Sequence, residues 1–288
     1  MINFDKGIEI PNEYLGAEKK MTYVYENEIY MIKLPAPNRG KMSFSYKNNQ
    51  YSEHISCLIF KSCGFSTQET VLGTLTMNTG KVKEVVGCKI FTTGSKVLYE
   101  FSKFGNAVIS ESNMSNSIED VNLIIDNSKF ITEKESIKNR FWDMFVIDTL
   151  IANPDRHLNN WGLLRNGSEF EFSPIYDCGS SLGAIRTDEG MKRLLEEPLE
   201  FKNQEFNIKS CYRLNGKIIF CHQLFKNPPK ELSEATKRTF PRIDMNAIFG
   251  IIDSVEQISE IRKEYLKRAI ELRYEQMIKP AFKRIMRG

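Results

Sequence analysis

The densest chemistry in the chain lies in Asn153-Pro154-Asp155-Arg156-His157-Leu158-Asn159-Asn160-Trp161-Gly162, where an acid follows a helix end and an amide follows the acid by five positions. After a short apolar strand, Trp161 to Leu164, comes Ser173-Pro174-Ile175-Tyr176-Asp177-Cys178-Gly179. Phosphoryl transfer asks a protein for positioning and charge neutralisation rather than covalent chemistry. Asp155 suits the group that accepts or orients an attacking hydroxyl. Asn160 and Asp177 suit magnesium, because hard cations take carboxylate and amide oxygens. Gly179 is expected to let the chain turn sharply away from the metal. Each fragment is common alone: Asp-x-x-x-x-Asn recurs by chance, and Asp-Cys-Gly is also turn-forming. The order helix, acid, amide, strand, acid carries the reading.

Such a site needs a cation for the phosphates, and Lys33 ends an apolar strand in Ile29-Tyr30-Met31-Ile32-Lys33-Leu34-Pro35. Before it, Gly16-Ala17-Glu18-Lys19-Lys20 reads as a small-residue turn between strands whose backbone amides can cap phosphate oxygens. Glu53, at the start of the next helix, is either the ion-pair partner that holds Lys33 or a solvated glutamate favoured by the helix N-terminus.

The elements that must position these groups change character along the chain. Tyr14 to Tyr25, Glu28 to Leu34, Glu69 to Met77 and Lys81 to Phe91 are rich in β-branched and aromatic residues, and turn sequences separate them. One helix interrupts them, from an N-cap at Ser52 to a stop at Gly64. From about Ser95 the pattern is helical. Ser136 to Ala152 is apolar enough to be buried, with Phe141, Trp142 and Phe145 as core rather than a binding platform. Pro154 pushes the residue before it out of the helix. Met245 to Val255 and Ile258 to Met286 are further helices, and the excess of Lys and Arg from Ile261 onward reads as a solvated face. A strand-rich part followed by a helix-rich part makes the expected fold α+β.

Composition excludes several classes. Of the 288 residues 41% are hydrophobic and 27% charged, the balance of a globular protein with a sizeable core. No apolar run has the length of a bilayer span, and Met1 to Pro11 lacks the apolar stretch of a signal peptide, so the cytoplasm is the expected location. The six cysteines form no Cys-x-x-Cys pair, which points to free thiols rather than zinc. A net charge of +3 is too small to imply nucleic-acid binding.

As an ordered set these pieces resemble the HipA-like serine/threonine kinases, and in particular the short CtkA-type branch. The resemblance runs from about residue 12 to 185 through Gly16 to Lys20, Met31 to Pro35, Ser52-Glu53-His54, Cys88-Lys89-Ile90-Phe91, Asn153 to Gly162, and Tyr176 to Leu182. It implies a two-lobed protein-kinase-like fold, with 1–92 as the β-rich lobe and 93–288 as the helical lobe, and with ATP and Mg2+ between them. It further implies that Lys33 contacts the phosphates and pairs with Glu53, that Lys89, Ile90 and Phe91 form an adenine-facing hinge, and that Asp155 is the catalytic acid/base. Asn160 and Asp177 are then the magnesium ligands, while Arg156 and His157 shape the loop.

The implied activity is phosphorylation of Ser/Thr hydroxyls on a protein substrate and on itself. An antitoxin-like protein partner is compatible with the family. The chain is shorter than the full-length toxins, which carry a further N-terminal subdomain and a regulatory serine in the phosphate loop. Pro11 to Lys20 contains no serine or threonine. Alternative hydroxyls for self-modification are Ser43, Ser45, Ser180, Ser181 and Thr187. Two other readings stand beside this one: a lipid or small-molecule kinase with the same site, and a non-catalytic kinase-shaped binding module. Mixed charges in Ala184 to Glu197 favour a protein acceptor over an anionic head group, and the intact set of polar side chains disfavours a dead site.

Overall fold

Strand formation begins earlier than the sequence pattern indicates. The computed structural model describes residues 1–11, 20–35, 48–109 and 115–287. Two short strands, β1 (Ile2–Asn3) and β2 (Ile8–Ile10), flank a 3-10 turn at Phe4–Lys6. With β3 (Lys20–Tyr25), β4 (Glu28–Lys33), β5 (Thr70–Thr76) and β6 (Val82–Lys89) they make a six-stranded sheet of order β1-β5-β6-β4-β3-β2. Glu26 and Asn27, both at positive φ (48° and 64°), close β3 onto β4 with the backbone twist that a two-residue hairpin requires.

Phe4 sets the sheet's interior. It is fully buried and meets Tyr23, Tyr25 and Tyr30 edge-on. Its ring lies where a Cβ on Gly73 or on Gly87 would come within 2.5 Å, so both strands need glycine there. Helix α1 (Asn49–Ser62) packs on β5 and β6 on one side and on the helical part on the other.

The remainder is mostly helical: α2 (Phe101–Val108), α3 (Ile118–Asn127), α4 (Lys134–Leu150), α5 (Asp188–Glu196), α6 (Pro198–Phe206), α7 (Cys221–Lys226), α8 (Lys230–Thr239), α9 (Met245–Asp253), α10 (Glu260–Arg273) and α11 (Lys279–Ile285). A π turn, Tyr274–Ile278, joins the last two. Helix α4 is buried continuously from Phe141 to Leu150, as its apolar sequence implies, and Phe141, Trp142 and Phe145 are core side chains. Two small sheets complete the fold, and of their strands only β8 was expected, as Trp161 to Leu164: β7 (Val97–Glu100) with β8 (Gly162–Asn166) and β9 (Glu169–Phe172), and the hairpin of β10 (Lys209–Leu214) with β11 (Lys217–Phe220). Trp161 joins the first of these to the core. Its ring stacks on Phe101 at 4.1 Å and on Phe172 at 5.2 Å, and its N–H donates to the Tyr212 hydroxyl at 2.8 Å.

Two local expectations need correction. Helix α1 starts at Asn49, not after Ser52, because the polar run Asn49-Gln50 carries no apolar periodicity yet is buried against neighbouring elements. The basic C-terminal segment is only partly solvated. Arg262 and Arg273 of α10 point inward, paired with Asp188 and Glu205 respectively. Among the described residues no helix is long and apolar enough to cross a membrane.

Gly87→Ala forces a methyl group into the Phe4 ring. Overpacking of this kind costs about 1–3 kcal/mol. Urea unfolding of the variant is expected to show a lowered midpoint with an unchanged slope, and an unchanged midpoint would refute the wedge role of Phe4.

Candidate active site

Helix α4 delivers the chain to the loop that carries Asp155. The helix ends at Leu150, Ala152 takes positive φ (49°), and Asn153 bonds back to Asp148 through its N–H at 2.9 Å and its side-chain amide at 3.0 Å. The Asn153 carbonyl oxygen of the side chain then accepts from the Asp155 N–H at 3.1 Å. Asn160 folds over the loop, its amide donating to the Asp155 backbone carbonyl at 2.7 Å.

Arg156 is the loop's anchor. It is 2% exposed and grips Asp148 with Nε at 2.9 Å and Nη2 at 3.2 Å. Nη1 donates to the Asn160 carbonyl at 2.7 Å and to the Tyr176 carbonyl, and Nη2 reaches the Cys178 sulfur at 3.0 Å. Burial disfavours the guanidinium charge, but the Asp148 carboxylate outweighs it and Arg156 is held well above its ordinary range. Burial pushes the Asp148 carboxyl up, and the bonds from Arg156 and Asn153 pull it back.

The Tyr176 and Cys178 contacts place Asp177 between them. Asp177 itself is in the left-handed region (φ 56°), a conformation aspartate tolerates better than most residues. The sharp turn expected of Gly179 is thus made by Asp177. Gly179 serves another need: a Cβ there would stand 3.1 Å from Glu53 Oε2. That oxygen accepts from Lys33 Nζ at 3.0 Å, and the same Nζ reaches Asp177 Oδ1 at 2.9 Å. Lys33 is almost wholly buried and Glu53 is completely so, which removes the solvated-glutamate alternative. Desolvation works against the ammonium, yet Asp177 and Glu53 together raise Lys33 well above the usual lysine range. The Cys88 thiol lies against this cluster and burial pushes it up.

Asp155 presents its carboxylate to solvent, about half exposed (48%). One oxygen accepts from the Ser180 hydroxyl at 3.1 Å, and the other lies 3.6 Å from His157 Nε2. The carboxylate of Asp177 is 36% exposed, and carboxylate and amide oxygens are the donor types that magnesium takes. Among the described residues no group of three or more His, Cys, Asp or Glu side chains is gathered into a cage.

Comparison with known proteins decides the family. Residues 14–239 match the HipA-like C-terminal domain. The chain is 38% identical to the serine/threonine-protein kinase CtkA of Helicobacter pylori over 272 residues, covering 92% of this chain and 82% of that one. The chain belongs to the HipA-like kinase family. The crystal structure of the proinflammatory kinase CtkA from Helicobacter pylori superposes with a TM-score of 0.91 at 36% identity, over 99% of this chain and 98% of that one. HipA of Shewanella oneidensis MR-1, solved with HipB and operator DNA, superposes at 0.57 and 14% identity over 94% of this chain and 67% of that one, a likeness of fold alone. The architecture is the α+β protein-kinase-like fold that the ordered motifs imply.

In this HipA-like kinase the structure brings together Lys33, Glu53, Asp155, Asn160 and Asp177, residues up to 144 positions apart. Gly16, Ala17, Glu18 and Lys19 lie outside the described residues, as do Ser43 and Ser45. Lys20 opens β3 opposite Lys33. Of the expected hinge, Lys89 donates its N–H to the Glu69 carbonyl at 2.8 Å and Ile90 donates to Ile29 at 2.8 Å, so both donors face into the sheet. The Lys89 carbonyl accepts from Gln68 at 3.1 Å, and its ammonium pairs with Glu28 at 2.8 Å. Phe91 instead sets its ring against Tyr176, 6.0 Å between centroids. Sequence reasoning missed Asp148, although an acid inside the apolar stretch of this helix, like Asp143 five residues before it, was the available signal: such a group is kept only when paired. All six cysteines are free thiols.

Arg156→Ala strands Asp148 without its cation, a loss of about 3–5 kcal/mol. A lone buried carboxylate binds a proton more tightly in the folded than in the unfolded chain, so its penalty is absent at acid pH and grows as pH rises through the raised folded pKa. Denaturant unfolding of the variant should therefore show a deficit that shrinks as pH is lowered. Asp148→Asn in the same chain should recover part of it. A deficit independent of pH would contradict this account.

Proposed function

We propose that this HipA-like serine/threonine kinase transfers the γ-phosphoryl group of ATP, in a magnesium-dependent reaction, to hydroxyls of a protein substrate and of its own chain. The observation that carries the reading is the buried Lys33 ammonium, which ties Glu53 at 3.0 Å and Asp177 at 2.9 Å into one cluster beside the Asp155 loop. A fixed cation, a fixed pair of oxygen donors and a solvent-facing acid are the parts that phosphoryl transfer requires.

Magnesium, held by the oxygens of Asn160 and Asp177, would neutralise charge on the phosphates. Lys33 supplies a permanent positive charge toward the same phosphates, and Glu53 keeps it in place. Asp155 orients the acceptor hydroxyl and takes its proton. Its exposure suits the role, since the acceptor arrives from outside. Aromatic faces of Phe91 and Tyr176 offer a surface for the base, and burial together with Glu100 and Asp177 raises the Tyr176 phenol so that it stays neutral. A protein acceptor fits better than an anionic lipid head group, because Arg186, in the segment after Asp177, is already paired with Glu205 at 3.1 Å.

Positioned acid–base groups contribute roughly a 10²–10⁴-fold rate effect. Asp155→Asn is expected to lower kcat by that order while leaving nucleotide affinity nearly unchanged. Asp177→Asn is expected to abolish both transfer and metal-dependent nucleotide binding. Labelled ATP with magnesium, with and without chelator, followed by phosphoamino-acid analysis checks both. Undiminished transfer by Asp155→Asn would sink the assignment, as would label on a lipid extract and on no protein.

A further inference from the structure

Resting on that kinase reading, we infer that Ser180 is the chain's own phosphoryl acceptor, modified within the same molecule by the site it lines. Ser180 is exposed, and its Oγ donates to Asp155 Oδ2 at 3.1 Å. This is the contact an incoming acceptor hydroxyl must make with the acid that takes its proton. The serine follows Asp177 by three residues, and the glycine between them lies flush against Glu53, where a Cβ would meet Oε2 at 3.1 Å. The hydroxyl is thus held against the acid by a residue three positions from one of the two oxygen donors proposed for the metal.

The neighbouring hydroxyls are placed differently. Ser181 is fully buried, its Oγ 2.6 Å from Ser56 Oγ and 2.7 Å from the Cys178 carbonyl. Thr187 caps α5, its hydroxyl oxygen accepting from the Gly190 N–H at 3.2 Å. Of the self-modification candidates in the described residues, Ser180 alone touches the acid.

In the step, Ser180 Oγ forms a bond to the γ-phosphorus while the bond from that phosphorus to the β,γ-bridging oxygen breaks. Its electron pair leaves on ADP, and the hydroxyl proton passes to Asp155 Oδ2. Because nucleophile and acid belong to one chain, the rate is first order in protein, with no bimolecular encounter. The product sets a phosphate dianion against the Asp155 carboxylate, a like-charge contact that also blocks the acid from other acceptors. Modification is therefore self-limiting for activity on external protein.

The test uses the full chain, treated with phosphatase and then given magnesium and ATP over a wide range of protein concentrations, with dephosphorylated casein as an added acceptor. Phosphosites are mapped by mass spectrometry through time. The expected result is phosphate on Ser180 with a half-time independent of protein concentration, abolished in Asp155→Asn. Transfer to casein should slow as Ser180 fills, and in Ser180→Ala the progress curve should not bend, whatever its initial rate. Phosphate on casein or on other hydroxyls with Ser180 unmodified overturns the inference and leaves the kinase reading standing. Labelling of Ser180 at a rate proportional to protein concentration overturns the intramolecular route. No phosphate on any hydroxyl overturns both.

Discussion

The guanidinium of Arg156 ties together three stretches of chain. It holds Asp148 in α4, the Asn160 carbonyl at the end of the Asp155 loop, and the Tyr176 carbonyl and Cys178 sulfur on either side of Asp177. A planar fork with fixed donor directions can do this; a lysine with one rotatable ammonium cannot satisfy the same set. The bond to Asp148 is also what permits the charge to be buried at all, since an uncompensated ion of either sign there would cost several kcal/mol. The position of the candidate acid relative to the candidate metal ligand is thus set from beneath by a group that faces neither nucleotide nor acceptor.

On the other side of Asp177 the geometry is controlled by charge balance. One ammonium, Lys33, faces two carboxylates, and Asp155 adds a third near the same opening. Among these four described side chains the balance is net negative, an unfavourable setting for a bare polyphosphate. In the proposed reaction a divalent cation at the exposed edge of Asp177 would reverse the local sign. That would favour a nucleotide entering with its metal. It also explains the glycine at 179: a side chain there would push on Glu53 and loosen the clamp on Lys33.

How far the sequence could be read follows from which constraints are local. Asp155, Asn160 and Asp177 stand out because the acid-to-amide spacing and the following strand are contiguous features, and Lys33 because an apolar strand ends on it. The resemblance then supplied the order in which they assemble. Asp148 stayed hidden because its partner lies eight residues on, inside a motif being read for chemistry. Strands β1 and β2, two and three residues long, are too short for alternation to register. The start of α1 was misplaced by four residues because its first turn is polar yet buried, a tertiary effect that no local pattern records. The N–H groups of Lys89 and Ile90 pair within the sheet, since pairing direction along a strand edge is fixed by its neighbours.

The end of α4 shows the same dependence of local geometry on distant chain. A helix terminus leaves its last carbonyls without intrahelical partners, and here residues from across the fold supply them. The Arg273 guanidinium of α10, buried against Glu205, donates to the Leu150 carbonyl at 2.8 Å, while Leu182 donates its N–H to Ile151 at 2.9 Å. One of these donors comes from the C-terminal helices and the other from the segment just after Ser180. Docking of both therefore adds to the local turn at Ala152 and Asn153 in holding the helix end. Because Asp155 begins immediately beyond that stop, the loop's conformation reports on the packing of the whole helical part, and residues far from any nucleotide contact help set where the acid points.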